Sequence, residues 1–166
     1  MDKALFSITI DYAKCTGCRI CEMACSLKNT GECNSLVSRI RIYRHTQDGK
    51  ISNAPTLCHN CVQPPCEEAC PTGATYRDPL THSMAVDADL CIGCKGCVFA
   101  CPFGACFIDP HTDTAFRCNQ CEGDPSCVAI CPHNVLSYVQ QTELSIKQKR
   151  KKNRTYFRMD QTIGKP

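Results

Sequence analysis

The sequence is short of aliphatic residues. Leu, Ile, Val and Phe together number 32 of 166, just under the roughly 20% below which chains struggle to bury a sufficient core. That excludes a large enzyme with one deep pocket, and the length fits one or two small domains. No apolar run approaches the ~18 residues that cross a bilayer, so no membrane insertion is expected. The start, Met1-Asp2-Lys3-Ala4-Leu5-Phe6, has no basic leader, apolar stretch or cleavage site, and no twin-arginine pair precedes the first motif. A cytoplasmic location is the expectation. Also missing are a Ser–His–Asp grouping, a phosphate-binding glycine loop and a poised carboxylate pair, so no catalytic site of the chain's own is expected.

Cysteine is what the chain has in excess, at 18 residues, above the usual mark for chains held by disulfides or metals. In a reducing cytosol disulfides are rare, and cysteine clusters signal metal or catalysis. Sixteen fall in four groups. Cys15, Cys18, Cys21 and Cys25 read C-x2-C-x2-C-x3-C, and Cys91, Cys94, Cys97 and Cys101 repeat that spacing, followed by Pro102. Cys58, Cys61, Cys66 and Cys70 read C-x2-C-x4-C-x3-C before Pro71, and Cys118, Cys121, Cys127 and Cys131 read C-x2-C-x5-C-x3-C before Pro132. Only Cys33 and Cys106 stand outside.

The first spacing is that of bacterial-type ferredoxins, in which three Cys bind one [4Fe–4S] cube and the fourth serves another. Three thiolates within seven residues must point inward from one tight loop. Gly17, Gly93 and Gly96 fit such a loop through positive φ and close backbone approach. Cys21 and Cys25, like Cys97 and Cys101, lie one helical turn apart, and proline after the fourth Cys stops that helix. Ser26 replaces the proline after Cys25, so the first helix is free to run on. Zinc is the alternative: four ions account equally well for sixteen thiols, but three Cys in seven residues suits zinc poorly and the Cys-Pro endings have no zinc rationale.

The chain reads as a tandem pair. Ile10-Asp11-Tyr12-Ala13-Lys14-Cys15 echoes Val86-Asp87-Ala88-Asp89-Leu90-Cys91, and the first half carries about 16 extra residues within 26–56. Thr72–Arg77 and Ser83–Asp87 flank an Asp78-Pro79 turn as strand, turn, strand. Val135–Val139 has the composition to pair with Leu5–Ile10, which would nest one module inside another. Phe103–Phe107 and Thr114–Arg117 could pair instead, in sequential order.

With these four motifs, residues 5–140 resemble the four-cluster iron–sulfur subunits of molybdenum- and tungsten-pterin oxidoreductases, such as those of the dimethyl sulfoxide reductase and formate dehydrogenase groups. Cys25-Ser26-Leu27-Lys28 and Ser38-Arg39-Ile40-Arg41-Ile42 are similar to the small polyferredoxin subunits of tungsten aldehyde oxidoreductases. The resemblance implies an α+β fold of two pseudo-twofold-related, nested ferredoxin-like modules, each binding two [4Fe–4S] clusters. Residues 1–26 and 115–140 would form the outer module, 57–114 the inner one, 27–56 an insertion and 141–166 a basic C-terminal extension. Cys15, Cys18, Cys21 and Cys131 would hold a first cluster, and Cys25, Cys118, Cys121 and Cys127 a second. Cys58, Cys61, Cys66 and Cys101 would hold a third, and Cys70, Cys91, Cys94 and Cys97 a fourth. The implied role is that of an electron-transfer subunit, relaying electrons between a large pterin-metal (W or Mo) subunit and a flavin subunit, a carrier such as a ferredoxin, or another copy. A free-standing polyferredoxin shuttle is the rival reading and a structural zinc protein a remote one.

The remaining residues read more plainly. Cys106, in an apolar run, is expected as a buried structural thiol and Cys33 as a free one. His59 and His133 lie beside motifs and read as ordinary polar loop residues, Asp11 and Asp87 as turn or capping residues. Residues 140–166 hold eight Lys/Arg and two acids, net +6, leaving eleven basic and fourteen acidic residues, net −3, in the body. Each oxidised cube with its thiolates adds about −2. A basic extension on an acidic body suits docking onto a partner subunit or another copy. Nucleic-acid binding is not expected, because the body repels phosphates.

Overall fold

The computed structural model describes residues 6–47 and 49–140; the expected basic extension over 141–166 lies outside them. Short helices alternate with antiparallel strand pairs: β1 (Phe6–Ile10), α1 (Ile20–Thr30), β2 (Ile40–Gln47), β3 (Lys50–Leu57), α2 (Pro65–Glu68), β4 (Thr75–Arg77), β5 (Met84–Val86), α3 (Gly96–Ala100), β6 (Cys106–Ile108), β7 (Ala115–Arg117), α4 (Ser126–Ile130) and β8 (Leu136–Gln140). The sheets are β1–β8, β2–β3, β4–β5 and β6–β7. No helix among the described residues is long and apolar enough to cross a membrane.

The two pairings that compete in the sequence both form. β1 closes on β8, with Ile8 opposite Tyr138 and Ile10 opposite Leu136. β6 also pairs with β7, Phe107 opposite Phe116. They do not exclude each other, because they share no residue; β6 starts only at Cys106, since Pro102–Gly104 is spent on a turn in which the Gly104 N–H donates to the Cys101 carbonyl at 3.2 Å.

The strands β2 and β3 were not expected from the sequence, where 27–56 reads only as an insertion. They form the largest hairpin, with Ile40 opposite Leu57 and Ile42 opposite Pro55. A two-residue Asp-Gly connection suits such a hairpin because its backbone must twist to positive φ, and Gly49 has φ 71°.

Helix α1 is twice as long as its counterpart. It passes through Cys25 to Thr30 and ends on Gly31, whose φ of 76° closes a left-handed cap. Ser26 makes this passage possible. Fully buried, it donates from Oγ to the Met23 carbonyl at 3.0 Å and accepts the Asn34 N–H at 3.1 Å, tying the helix to the chain beyond it. α3 and α4 instead stop where Cys101-Pro102 and Cys131-Pro132 begin.

Two small cores result, and sulfur is part of both. Ile8, Ile10, Ile40, Leu57, Val135 and Leu136 pack with Cys25, Cys118 and Cys127. Met84 and Ala115 pack with Cys66, Cys97 and Cys106. The scarcity of aliphatic residues is thus offset by thiols at the centre of each core.

Candidate metal centre

All eighteen cysteines are free thiols, and the fold brings motifs from distant parts of the sequence together. Cys15, Cys18 and Cys21 share one pocket with Cys131, roofed by Ile42 and Pro55 from the β2–β3 hairpin. Burial pushes the Cys21 thiol up to about 12, helped by the neighbouring Glu22 charge and by Cys15 and Cys18. Beside this set, Cys127 is raised first by burial and then by the proximity of Cys118, Cys25, Cys121 and Cys21. Cys118 is raised by burial and then by Cys58, Cys25 and Cys121.

Cys58 opens the next set. Burial lifts its thiol to about 12 against the lowering influence of the Asn60 N–H and the Arg117 guanidinium, with Cys101 and Cys61 close enough to add to the rise. Cys61 is raised by burial, Cys101 and Cys66. α2 packs against α3, setting the segment that ends at Cys70 alongside the Cys91–Cys101 motif. At Cys70 the burial cost is outweighed by donors from Thr75 and Thr72, which bring the thiol down to about 7. Cys97 is lowered, chiefly by the Cys106 S–H that donates to it at 3.5 Å.

Backbone N–H groups point at many of these sulfurs. Arg39 N donates to Cys25 at 3.3 Å, and Ala105, Ala115, Gln120 and Val135 donate to Cys101, Cys91, Cys118 and Cys131 at 3.4 Å each. The Ala105 and Val135 contacts are the same device: the chain turns after Cys-Pro and presents the fourth following amide to the sulfur. N–H donors favour the thiolate over the thiol, which is the form that binds iron. Among the described residues no three His, Cys, Asp or Glu side chains converge as a single-ion site. Grouped free thiols with amide donors fit iron–sulfur ligation, where four irons stand between the ligand sulfurs.

The glycines divide. Gly17 (φ 73°) and Gly93 (φ 65°) have the expected backbone, and an added Cβ would strike the Asn53 side chain at the first and lie 2.8 Å from the Asp113 carbonyl oxygen at the second. Gly96 corrects the expectation of positive φ: it opens α3, and the residue before it, Lys95, takes φ 62°. Gly96 is needed only for close approach, since a Cβ would sit 3.0 Å from the Ala69 carbonyl oxygen.

Other expected residues are placed as follows. Cys106 is buried and Cys33 exposed. His59 packs on the Phe103 ring at 4.3 Å, and His133 lines the first thiol pocket. Asp87 accepts the Asp89 N–H at 2.9 Å, a turn role. Asp11 precedes a short 3-10 turn without capping it through its side chain, which ion-pairs with Lys14 at 3.2 Å. Sequence reasoning missed Glu22, Asn53 and Arg117. Asn53 reaches from β3 to the Cys15 carbonyl, donating from Nδ2 at 3.2 Å. Arg117 donates from Nη1 to Cys66 Sγ at 2.7 Å. The one available signal was an arginine in the otherwise apolar run Ala115-Phe116-Arg117-Cys118.

Fold and thiols together define a ferredoxin-like iron–sulfur chain of small helices and two-stranded sheets. The 4Fe-4S dicluster domain model matches residues 49–141 and a 4Fe-4S binding domain model residues 12–31; the chain belongs to the 4Fe-4S dicluster domain family. It is 39% identical over 124 residues to the polyferredoxin-like subunit of an aliphatic sulfonate oxidoreductase of Pyrococcus furiosus, covering 75% of this chain and 70% of that one. It is 34% identical over 139 residues to the β subunit of the NADH-dependent phenylglyoxylate dehydrogenase of Aromatoleum evansii, covering 84% of this chain but only 31% of that subunit. A chain of the BamBC active-site complex of benzoyl coenzyme A reductase shares the fold at TM-score 0.51 and 20% identity, over 98% of this chain and 99% of that one.

Proposed function

We propose that the chain is the electron-transfer subunit of a multi-subunit oxidoreductase and carries four [4Fe–4S] clusters. Cys15, Cys18, Cys21 and Cys131 hold the first, and Cys25, Cys118, Cys121 and Cys127 the second. Cys58, Cys61, Cys66 and Cys101 hold the third, and Cys70, Cys91, Cys94 and Cys97 the fourth. The modules are nested: residues 1–26 and 115–140 enclose 57–114, with 27–56 as an insertion and 141–166 as a basic docking extension.

What carries this reading is continuity. Cys127 feels Cys21, Cys118 feels Cys58, and Arg117 joins Cys66 to Cys106, which donates in turn to Cys97. Each thiol set therefore has a neighbour within electrostatic reach, as a conducting series requires. The clusters, when bound, supply one-electron redox chemistry. The polypeptide contributes thiolates, amide donors to sulfur, and apolar walls that exclude water. Cysteines clustered as metal ligands suit a reducing compartment. The partners in this reading are a large pterin-metal subunit at one end and a flavin subunit, a carrier or a further copy at the other.

The test is native mass spectrometry with metal analysis of the gently purified assembly. Four cubes per chain and a co-purifying large molybdenum or tungsten subunit are expected. A loaded chain that always emerges alone is a shuttle, and a colourless zinc-bearing chain ends the reading altogether.

A further inference from the structure

Full charges are rare inside this chain. Among the described residues the buried Asp, Glu, Lys and Arg side chains are Glu22 and Arg117, each 3% exposed, and they lie beside different thiol sets. Glu22 follows Cys21 in α1. Its Oε1 accepts the Ile42 N–H, while Oε2 has no hydrogen-bond partner among the described residues. The carboxylate is thus fixed by β2 and only half satisfied, held by Ile42, which itself lines the first thiol pocket, and close enough to Cys21 to raise its thiol. Arg117 on β7 is placed in the opposite sense. Its Nη1 donates to Cys66 Sγ at 2.7 Å, and its Nη2 to Thr75 Oγ1 at 3.2 Å and Cys106 Sγ at 3.4 Å. Cys106 donates onward to Cys97 at 3.5 Å. The guanidinium therefore touches a ligand of the third set directly and one of the fourth through a thiol.

We propose that these two charges build a potential step into the series. Arg117 raises the reduction potential of the cluster on Cys58, Cys61, Cys66 and Cys101, and Glu22 lowers that of the cluster on Cys15, Cys18, Cys21 and Cys131. The inference rests on the four-cluster reading above. Its physics is that of a desolvated charge beside a redox centre. Gaining an electron makes a cluster more negative; a buried cation and N–H donors on its sulfur favour that state, and a buried anion opposes it. Water screens neither charge at this depth. Electrons entering beside Glu22 run downhill and collect beside Arg117, and Cys106 extends the donor chain toward the fourth cluster. Glu22 and Arg117 are positioning residues, acting through the cysteines they adjoin.

The experiment is an anaerobic redox titration of the iron-loaded full chain, followed by electron paramagnetic resonance. Arg117→Gln is expected to keep its iron while the reduced-to-oxidised ratio of the first-reducing cluster, at fixed potential, falls at least tenfold, which is ~59 mV for a one-electron couple. Arg117→Lys, keeping the charge, restores most of that loss, and Glu22→Gln shifts the last-reducing signal the other way. Full iron with a reduced-to-oxidised ratio that falls less than tenfold overturns the step. Should Arg117→Gln lose iron, wild-type protein labelled with guanidino-15N arginine serves instead. The first-reduced cluster must then show coupling to an arginine nitrogen, and no coupling, or coupling on a later cluster, overturns the step. A wild-type chain with well under four cubes overturns the reading beneath it, whatever the variants do.

Discussion

Cys25 and Cys101 stand at the same point of the same spacing, and the chain treats them in opposite ways. After Cys101 a proline ends a five-residue helix; after Cys25 a buried serine lets an eleven-residue helix continue. That single exchange determines what covers each half. The longer helix leads into the β2–β3 hairpin, whose Asn53 side chain closes over Gly17. In the other half the short β6–β7 connection performs the same task with a backbone group, the Asp113 carbonyl over Gly93. One motif is roofed by a side chain and the other by main chain. The thiol geometry survives both solutions, so the ligand loop sets the local structure and its cover is free to vary.

The comparison breaks most severely if either cysteine is removed. Cys25→Ala and Cys101→Ala each delete one ligand, and each is expected to cost one cube's iron, measured as iron per chain and visible absorbance; Cys33→Ser leaves both unchanged. Equal treatment of all three would contradict the ligand sets. Acidity separates the sets next. Iron uptake releases the thiol protons. A thiol held at about 12, like Cys58, must give up a tightly held proton, while Cys70 at about 7 and Cys97, lowered by the Cys106 S–H, ionise more readily. As pH falls, uptake therefore fails earlier at the sets containing Cys21, Cys58, Cys118 and Cys127 than at the set containing Cys70 and Cys97. Anaerobic reconstitution from about pH 9 to 6, with iron counted at each step, checks the order.

Ser26→Pro forces the first half to imitate the second. It removes an internal N–H of α1 and collides with the preceding turn, at a cost of about 3 kcal/mol or more; denaturant unfolding of the iron-loaded chain measures it. Pro102→Ser, the reverse exchange, costs much less because it strains nothing. The smallest effect distinguishes the two covers. Gly93→Ala and Gly17→Ala both place a side chain at positive φ, which costs roughly 1–2 kcal/mol. Gly93→Ala loses more, because a carbonyl in a hairpin yields less readily than the amide of Asn53. A larger loss at Gly17 would mean that Asn53 is held as rigidly as backbone.

Much of this was legible because it depends on local spacing. The four thiol motifs, the strand–turn–strand around Asp78-Pro79 and the run-on helix after Cys25-Ser26 are properties of neighbouring residues. The β2–β3 hairpin was signalled by Asp48-Gly49 after Ile40-Arg41-Ile42-Tyr43, yet the absence of any cysteine there drew no attention to it. Gly96 was misread because a helix start and a tight turn place the same demand for a missing side chain. Glu22 had no local signal at all, and Arg117 only its place in an otherwise apolar run. Only β2 folding over α1, and β7 lying beside Thr75 and Cys66, turns them into buried charges beside thiols.

The sulfur-filled cores carry a consequence for survival in air. Cys25, Cys118 and Cys127 occupy the same packed cluster as Ile8 and Leu57, so an oxidant that strips the metal also empties the interior, and too few aliphatic groups remain to refill it. A damaged copy then loosens as a whole and opens its peptide bonds to proteases. Poisoning by oxygen and disposal of the poisoned chain become one event, visible as a rise in proteolytic nicking that keeps pace with bleaching.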